Sequence, residues 1–251
     1  MIRSATEILE EGDLEKESSL FSDINISIPR AKSYRANPEV YHSYTDNPAA
    51  VLEVVQQAIN AKNGEWNGHI VTTLGAGWPM LFLENGASRT TIVEVNFNQA
   101  ISVLSKLEKE DKLAVAKQSL ADSNSHLIIE DITKLKREFW AETLQGNEVI
   151  WLSNIFDHSI DNKFAQRFLI MLKSIKLSIK VGQKVDIIFS YRNYERKYQH
   201  APNILLRYLK RVYPRKGYDI MLVDDWIMNT ERDKYAMHNI AMISITNTSE
   251  A

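Results

Sequence analysis

The stretch His69–Asn96, HIVTTLGAGWPMLFLENGASRTTIVEVN, reads in order as strand, glycine turn, helix, strand and acid. HIVTTL (69–74) is a short apolar run that stops at a glycine, and TTIVEV (90–95) is dense in the β-branched residues that suit a pleated strand. Between them, Gly75 and Gly77 let the backbone turn sharply and leave room for a ligand to come close. Amides at the start of the following helix then face whatever is bound. Glu94 lies nineteen residues after Gly75, at the tip of the second strand. A carboxylate there can accept hydrogen bonds from both hydroxyls of a ribose.

Working outward, strands and helices alternate. Before the stretch, Asn47 is placed to cap a helix that Pro48 opens, with Val51, Val55, Ala58 and Ile59 as its apolar stripe and Gly64 just past its end. After it, a helix carries Ile101, Leu104 and Leu107, and HLIIED (126–131) is a third strand. Leu135, Phe139 and Trp140 mark a further helix, and EVIWLS (148–153) is a fourth strand. A long helix with Phe164, Phe168, Met171, Leu172, Ile175 and Ile179 ends at Gly182, before a fifth strand, KVDIIFSY (184–191). A helix opened by Pro202 precedes YDIMLVDDW (218–226) and HNIAMISIT (238–246), which only about eleven polar residues separate. Alternation implies parallel strands with right-handed crossovers. The last two strands lack a crossover helix, so they pair as an antiparallel hairpin at the sheet edge.

Composition bounds the function. In 251 residues, 44% apolar and 25% charged with a net charge of −2, the chain is an ordinary globular one and no general polyanion binder. It contains no cysteine, which excludes thiolate chemistry and suits a reducing compartment. The acidic start MIRSATEILEEGDLEKESS has no apolar core for secretion, and no apolar run reaches the roughly 18 residues of a membrane span. A cytoplasmic protein is expected. The six histidines show no metal-ligand spacing, so no metal is expected.

The glycine turn also selects its ligand. A dinucleotide wants Gly-x-Gly-x-x-Gly, whereas here the run is GAGWPM: Met80 holds the third glycine position and Pro79 removes an amide donor. A ribose without a pyrophosphate fits better. Five parallel strands followed by the hairpin resemble the class I S-adenosylmethionine-dependent methyltransferases over about residues 65–246. The resemblance implies an α/β, Rossmann-like, doubly wound sheet of seven strands in the order 3-2-1-4-5-7-6, the last antiparallel. A helical N-terminal cap over residues 1–64 would cover the substrate, and 65–251 would bind the cofactor. It implies S-adenosylmethionine held by Thr73, Gly75, Ala76, Gly77 and Trp78 after the first strand, and by Glu94, Val95, Asn96 and Gln99 after the second. Asp131 and Ile132 after the third strand would meet the adenine, and Ser153 follows the fourth. Two departures fall near the methionine part of the cofactor. Thr73 stands where many members carry an acid, and Pro79 where they carry the last glycine.

Methyl transfer to a small-molecule acceptor is the leading activity. Glu94, Asn96 and Gln99 also resemble the acid-x-Asn-x-x-Gln run of the aminocarboxypropyl transferases of betaine-lipid synthesis, with Phe97 replacing the usual proline. That resemblance implies transfer or cyclisation of the aminobutyrate arm, releasing methylthioadenosine. As plain residues, Asn96 and Asn98 would simply cap the next helix. Asn154, Asp157, His158 and Tyr191 are the candidate catalytic residues: Asn154 to accept a hydrogen bond from an amine, Asp157 or His158 to take its proton, and Tyr191 to orient it.

Between 191 and 216, Arg192, Arg196, Lys197, Arg207, Lys210, Arg211, Arg215 and Lys216 face one acid, Glu195. That segment either meets an anionic substrate or surface or is a solvated helix face. A third reading of the chain is a non-catalytic module that binds RNA or protein through it. Tyr34, Tyr41 and Tyr44 are substrate contacts if the N-terminal segment covers the pocket.

Overall fold

The computed structural model describes residues 19–27, 48–95, 97–153, 162–193, 218–229 and 237–247. They fall into two compact units. The first takes residues 19–27 and the described part of 68–132; the second takes 48–67 and the described residues from 133 onward. This division differs from a boundary at residue 64, because the segment around Phe21 belongs with the first strands and the helix opened by Pro48 with the later ones.

The first unit holds β1 (Asn25–Ser27), β2 (His69–Thr72), β3 (Arg89–Glu94) and β4 (His126–Ile129) in the order β1-β4-β3-β2. All pairs are parallel. Helices α2 (Trp78–Glu84), α3 (Phe97–Lys109) and α4 (Leu113–Asp122) join them. Leu74, Met80, Ile92, Ala100, Leu104, Leu120 and Leu127 form the core.

Strand β1 is a correction to the expected seven strands. It is only three residues long, and the alternation of Ile24, Ile26 and Ile28 around it is brief and follows a polar N-terminal stretch. It is anchored by Leu20, Phe21 and Ile24, which join that same core. A second correction is that two helices, not one, separate β3 from β4. They turn at Asp111, whose φ is 56°.

One consequence for pH follows from β4. His126 lies opposite Thr91 of β3 and Asn25 of β1. Burial lowers its pKa from 6.5. Above that pH both folded and unfolded chains hold it neutral. Below it the unfolded chain binds the proton first, so stability falls as pH drops from 6.5 toward the folded pKa. Thermal melts between pH 7.5 and 5.5 (a window set around the ordinary histidine value) should show this loss, and His126→Gln should flatten it. An unchanged slope in the variant would remove His126 from the account.

The second unit holds α1 (Pro48–Asn60), β5 (Val149–Leu152), α5 (Arg137–Thr143), α6 (Asn162–Ser178), β6 (Lys184–Asn193), β7 (Tyr218–Asn229) and β8 (Met237–Asn247). Its strands run β5-β6-β8-β7. β5 is parallel to β6, while β8 is antiparallel to both β6 and β7. β7 carries one extra residue between Val223 and Trp226, a bulge that twists the outer strand. All four residues of β5, VIWL, are buried, as a strand covered on both faces requires. In α6, Phe168, Met171, Leu172 and Ile175 recur at helical spacing and are fully buried. Phe168 meets Phe189 of β6 edge-on at 6.1 Å.

Renumbered without β1, the runs β4-β3-β2 and β5-β6-β8-β7 are the expected 3-2-1 and 4-5-7-6. The helix expected after Pro202, with its basic residues, lies outside the described residues, as does the capping position Asn47.

Candidate functional site in the first unit

Three parallel strands of the first unit end side by side. Thr72 is level with Ile92, so Leu74 leaves β2 at the height of Glu94. Glu94 is level with Ile129, which brings Asp131 to the next strand end. The Glu130 amide donates to the Glu94 carbonyl at 3.0 Å, tying the two exits together.

Each exit has its own local cause. After β2 the chain makes one 3-10 turn, Gly75–Gly77, closed by the Gly77 amide donating to the Leu74 carbonyl at 3.1 Å. Gly77 then caps α2 with φ at 85°, a conformation that side chains disfavour. Gly75 has an ordinary φ, and a Cβ built there meets nothing within 4 Å. The two glycines therefore serve different ends, one conformational and the other spatial. Gly77→Ala should destabilise the fold by about 1 kcal/mol. Gly75→Ala should leave stability within about 0.5 kcal/mol yet fill the open space and weaken ligand binding. Urea unfolding and a binding titration on the two variants check the contrast.

Thr73 is partly exposed, but its Oγ1 is shut off from solvent and has no hydrogen-bond partner among the described residues. A buried hydroxyl without a partner is costly and asks for an explanation. Trp78 is 2% exposed and stacks on Phe82 with centroids 6.0 Å apart, so it packs inside the unit. Pro79 is buried as well.

Glu94 ends β3 and is only 6% exposed. Val95 beside it is 49% exposed, an apolar side chain at the mouth of a strand end. Asp131 is half-buried, and its amide donates to Glu130 Oε1 at 3.0 Å. Ile132 is buried in the short turn that follows. Glu130 is 7% exposed, a buried acid at the same strand end that the sequence reading did not single out. The acid pair closing the apolar run LIIED was its signal.

The remaining candidates separate. Ser153 directly follows β5 in the second unit and is half-buried. Gln99 and Ala76 are placed by backbone only, in the first turn of α3 and in the glycine turn, and Tyr191 lies on β6. Asn96, Asn154, Asp157 and His158 lie outside the described residues. Among the described residues no three His, Asp or Glu side chains gather as a metal ion requires.

The arrangement fits the sulfonium nucleoside that the sequence resemblance implies. At the strand ends, Glu94 is an acid 6% exposed, a Cβ at Gly75 would meet nothing within 4 Å, and the Thr73 Oγ1 has no partner among the described residues. A pyrophosphate fits poorly, since the third glycine is Met80 and Pro79 offers no amide.

No family model matches the sequence, and no curated protein matches it. Solved structures similar to the chain include the N-methyltransferase NodS from Bradyrhizobium japonicum, at 13% identity and a TM-score of 0.48, covering 80% of this chain and 98% of that one. An rRNA methylase from Streptococcus thermophilus is 14% identical with a TM-score of 0.42, covering 77% and 96%. Magnesium protoporphyrin IX methyltransferase from Synechocystis, solved with bound S-adenosylmethionine, is 14% identical with a TM-score of 0.45, covering 79% of each. By the strand order within each unit and the helices between the strands, this chain has the Rossmann-like fold that the class I S-adenosylmethionine-dependent methyltransferases share.

Proposed function

We propose that the protein is an S-adenosylmethionine-dependent methyltransferase acting on a small-molecule acceptor. One observation carries the reading: the buried Glu94 carboxylate ends β3 level with a glycine turn that leaves open space over Gly75. S-adenosylmethionine supplies an activated methyl group, so the protein has mainly to position and desolvate. Glu94 fixes the ribose by accepting from its hydroxyls, and Asp131 accepts from the base. Gly75 lets the chain of the ligand lie against the backbone. Bound there, it would supply a methyl carbon that the acceptor's nucleophile displaces from sulfur, the electron pair staying on sulfur.

Asn154, Asp157, His158 and Tyr191 are assigned to the acceptor, with Asp157 or His158 taking its proton. The N-terminal segment is assigned to cover the acceptor, and the absence of cysteine suits a cytoplasmic location. Among the described residues no helix is long and apolar enough to cross a membrane.

Incubation with labelled S-adenosylmethionine and fractionated small-molecule extract tests the reading. S-adenosylhomocysteine should accumulate. Methylthioadenosine instead would mean transfer of the aminobutyrate arm. Transfer of label to RNA alone would overturn the small-molecule acceptor.

A further inference from the structure

From Asn162 to Val185 the chain carries six lysines and arginines and no acid, in a protein whose net charge is −2. Helix α6 and the turn after it fill most of that span. The side of α6 away from the core is not simply polar. Ile170, Leu177 and Val181 are 60%, 47% and 67% exposed. Lys173 and Lys180 alternate with them along the chain and are exposed as well. Ile170, Lys173 and Leu177 fall at i, i+3 and i+7, so they line one side of the helix. Val181 stands at the corner of a firmly built turn. Gln183 accepts from the Lys180 amide through its side chain at 2.8 Å and donates its own amide to the Lys180 carbonyl at 3.0 Å. The Gly182 amide donates to the Asn247 carbonyl of β8 at 2.8 Å.

The charges on this side are free to meet a partner. Neither Lys173 nor Lys180 forms an ion pair among the described residues. Ser178 donates to the Arg137 carbonyl at 3.0 Å, which brings the exposed Lys136 and Arg137 beside the last turn of α6, with Glu138 the acid next to them. Single exposed apolar residues need no explanation, but aliphatic side chains in line and interleaved with cations do. A second copy of the chain fits poorly, because a twofold axis through this side would set lysines against lysines. Three aliphatic tips also fall far short of the roughly 800 Å² per partner that a stable protein interface needs. Nucleic acid would use the lysines but gain nothing from aliphatic side chains, since bases stack on aromatic ones. An anionic lipid surface uses both. Apolar tips leave water among the acyl chains, and lysine stems lie along them while the ammonium groups reach the phosphates.

We infer that the exposed side of α6 and its turn is a docking surface for an anionic membrane, with Ile170, Leu177 and Val181 entering between headgroups and Lys173 and Lys180 meeting lipid phosphates. The contact is reversible, because each cation near such a surface strengthens binding only about fivefold. None of these side chains is assigned to cofactor or acceptor, so the outcome leaves the proposed activity untouched.

Co-sedimentation of the full chain with mixed phosphatidylcholine–phosphatidylglycerol vesicles, and with phosphatidylcholine vesicles, tests it. The wild type should sediment with the mixed vesicles at low salt, stay in solution with phosphatidylcholine alone, and be released by about 0.5 M salt. Lys173→Gln with Lys180→Gln should weaken binding about tenfold or more. Ile170→Ser with Leu177→Ser keeps every charge and should weaken it about fivefold. All four positions are exposed, and thermal melts verify folding. Wild type that ignores the mixed vesicles, or that binds both kinds alike, would refute the inference. So would binding that survives both pairs of substitutions, which would place it on another basic segment. Self-association that Ile170→Ser with Leu177→Ser abolishes, without vesicle binding, would give this side to a second copy instead.

Discussion

Glu94→Gln should weaken S-adenosylmethionine binding about 30- to 150-fold. Glutamine keeps the size of the side chain but replaces a charged, two-oxygen acceptor by a neutral amide. Hydrogen bonds to charged groups contribute about 1.5–3 kcal/mol each, and a ribose offers two hydroxyls to one carboxylate. Losing the charge and one acceptor position removes about 2–3 kcal/mol, which is the quoted change in affinity. The residue is 6% exposed, so solvent screens the interaction little. Calorimetric titration of the variant, with a thermal melt to verify folding, is the measurement. Binding within threefold of wild type by a folded variant would remove Glu94 from the ligand.

The largest stability effect is expected in the second unit. Lys62, just past α1, places its Nζ 2.6 Å from Asp186 Oδ2 of β6, and both side chains are fully buried. Lys62 also donates to the Lys184 carbonyl at 3.3 Å, and Ser244 of β8 donates to Asp186 Oδ1. Burial holds the Lys62 ammonium below its ordinary pKa, although Asp186 beside it pulls the other way.

Removing one partner strands the other charge in a dry interior. Asp186→Leu should therefore cost about 3–5 kcal/mol, whereas the Lys62→Met, Asp186→Leu double variant should cost clearly less than the single one. Urea unfolding of wild type, both single variants and the double variant closes the cycle. Additive losses would mean that the pair is not coupled.

Much of the fold was legible because it rests on period and punctuation. β5 reads as an unbroken apolar run between turn residues, and α6 shows its buried face at i, i+3, i+4 and i+7. The hairpin was legible from the missing crossover between β7 and β8. β1 was not, since the alternation of Ile24, Ile26 and Ile28 is short and the pairing is decided by Leu20 and Phe21 packing far along the chain. The site divided in the same way. The positions of Gly75 and Gly77 in a turn and of Glu94 at a strand end follow from backbone freedom and strand pattern, which local sequence carries. Trp78, expected near the ligand from its position, is 2% exposed. Its burial against Phe82 is set by the direction of the first turn of α2, which no spacing rule discloses. Glu130 was passed over because an acid beside another acid reads as solvated, whereas it is 7% exposed and its amide is tied to the Glu94 carbonyl.

The central claim is that the strand ends of the first unit hold a sulfonium nucleoside and not a dinucleotide. Calorimetric titration of the wild-type protein with S-adenosylmethionine and, separately, with NAD decides it. The expected result is one saturable site for S-adenosylmethionine and no heat of binding with NAD. A folded protein that binds NAD, or that takes up no S-adenosylmethionine at millimolar concentration, where even a weak ligand of about −4 kcal/mol would register, would contradict it.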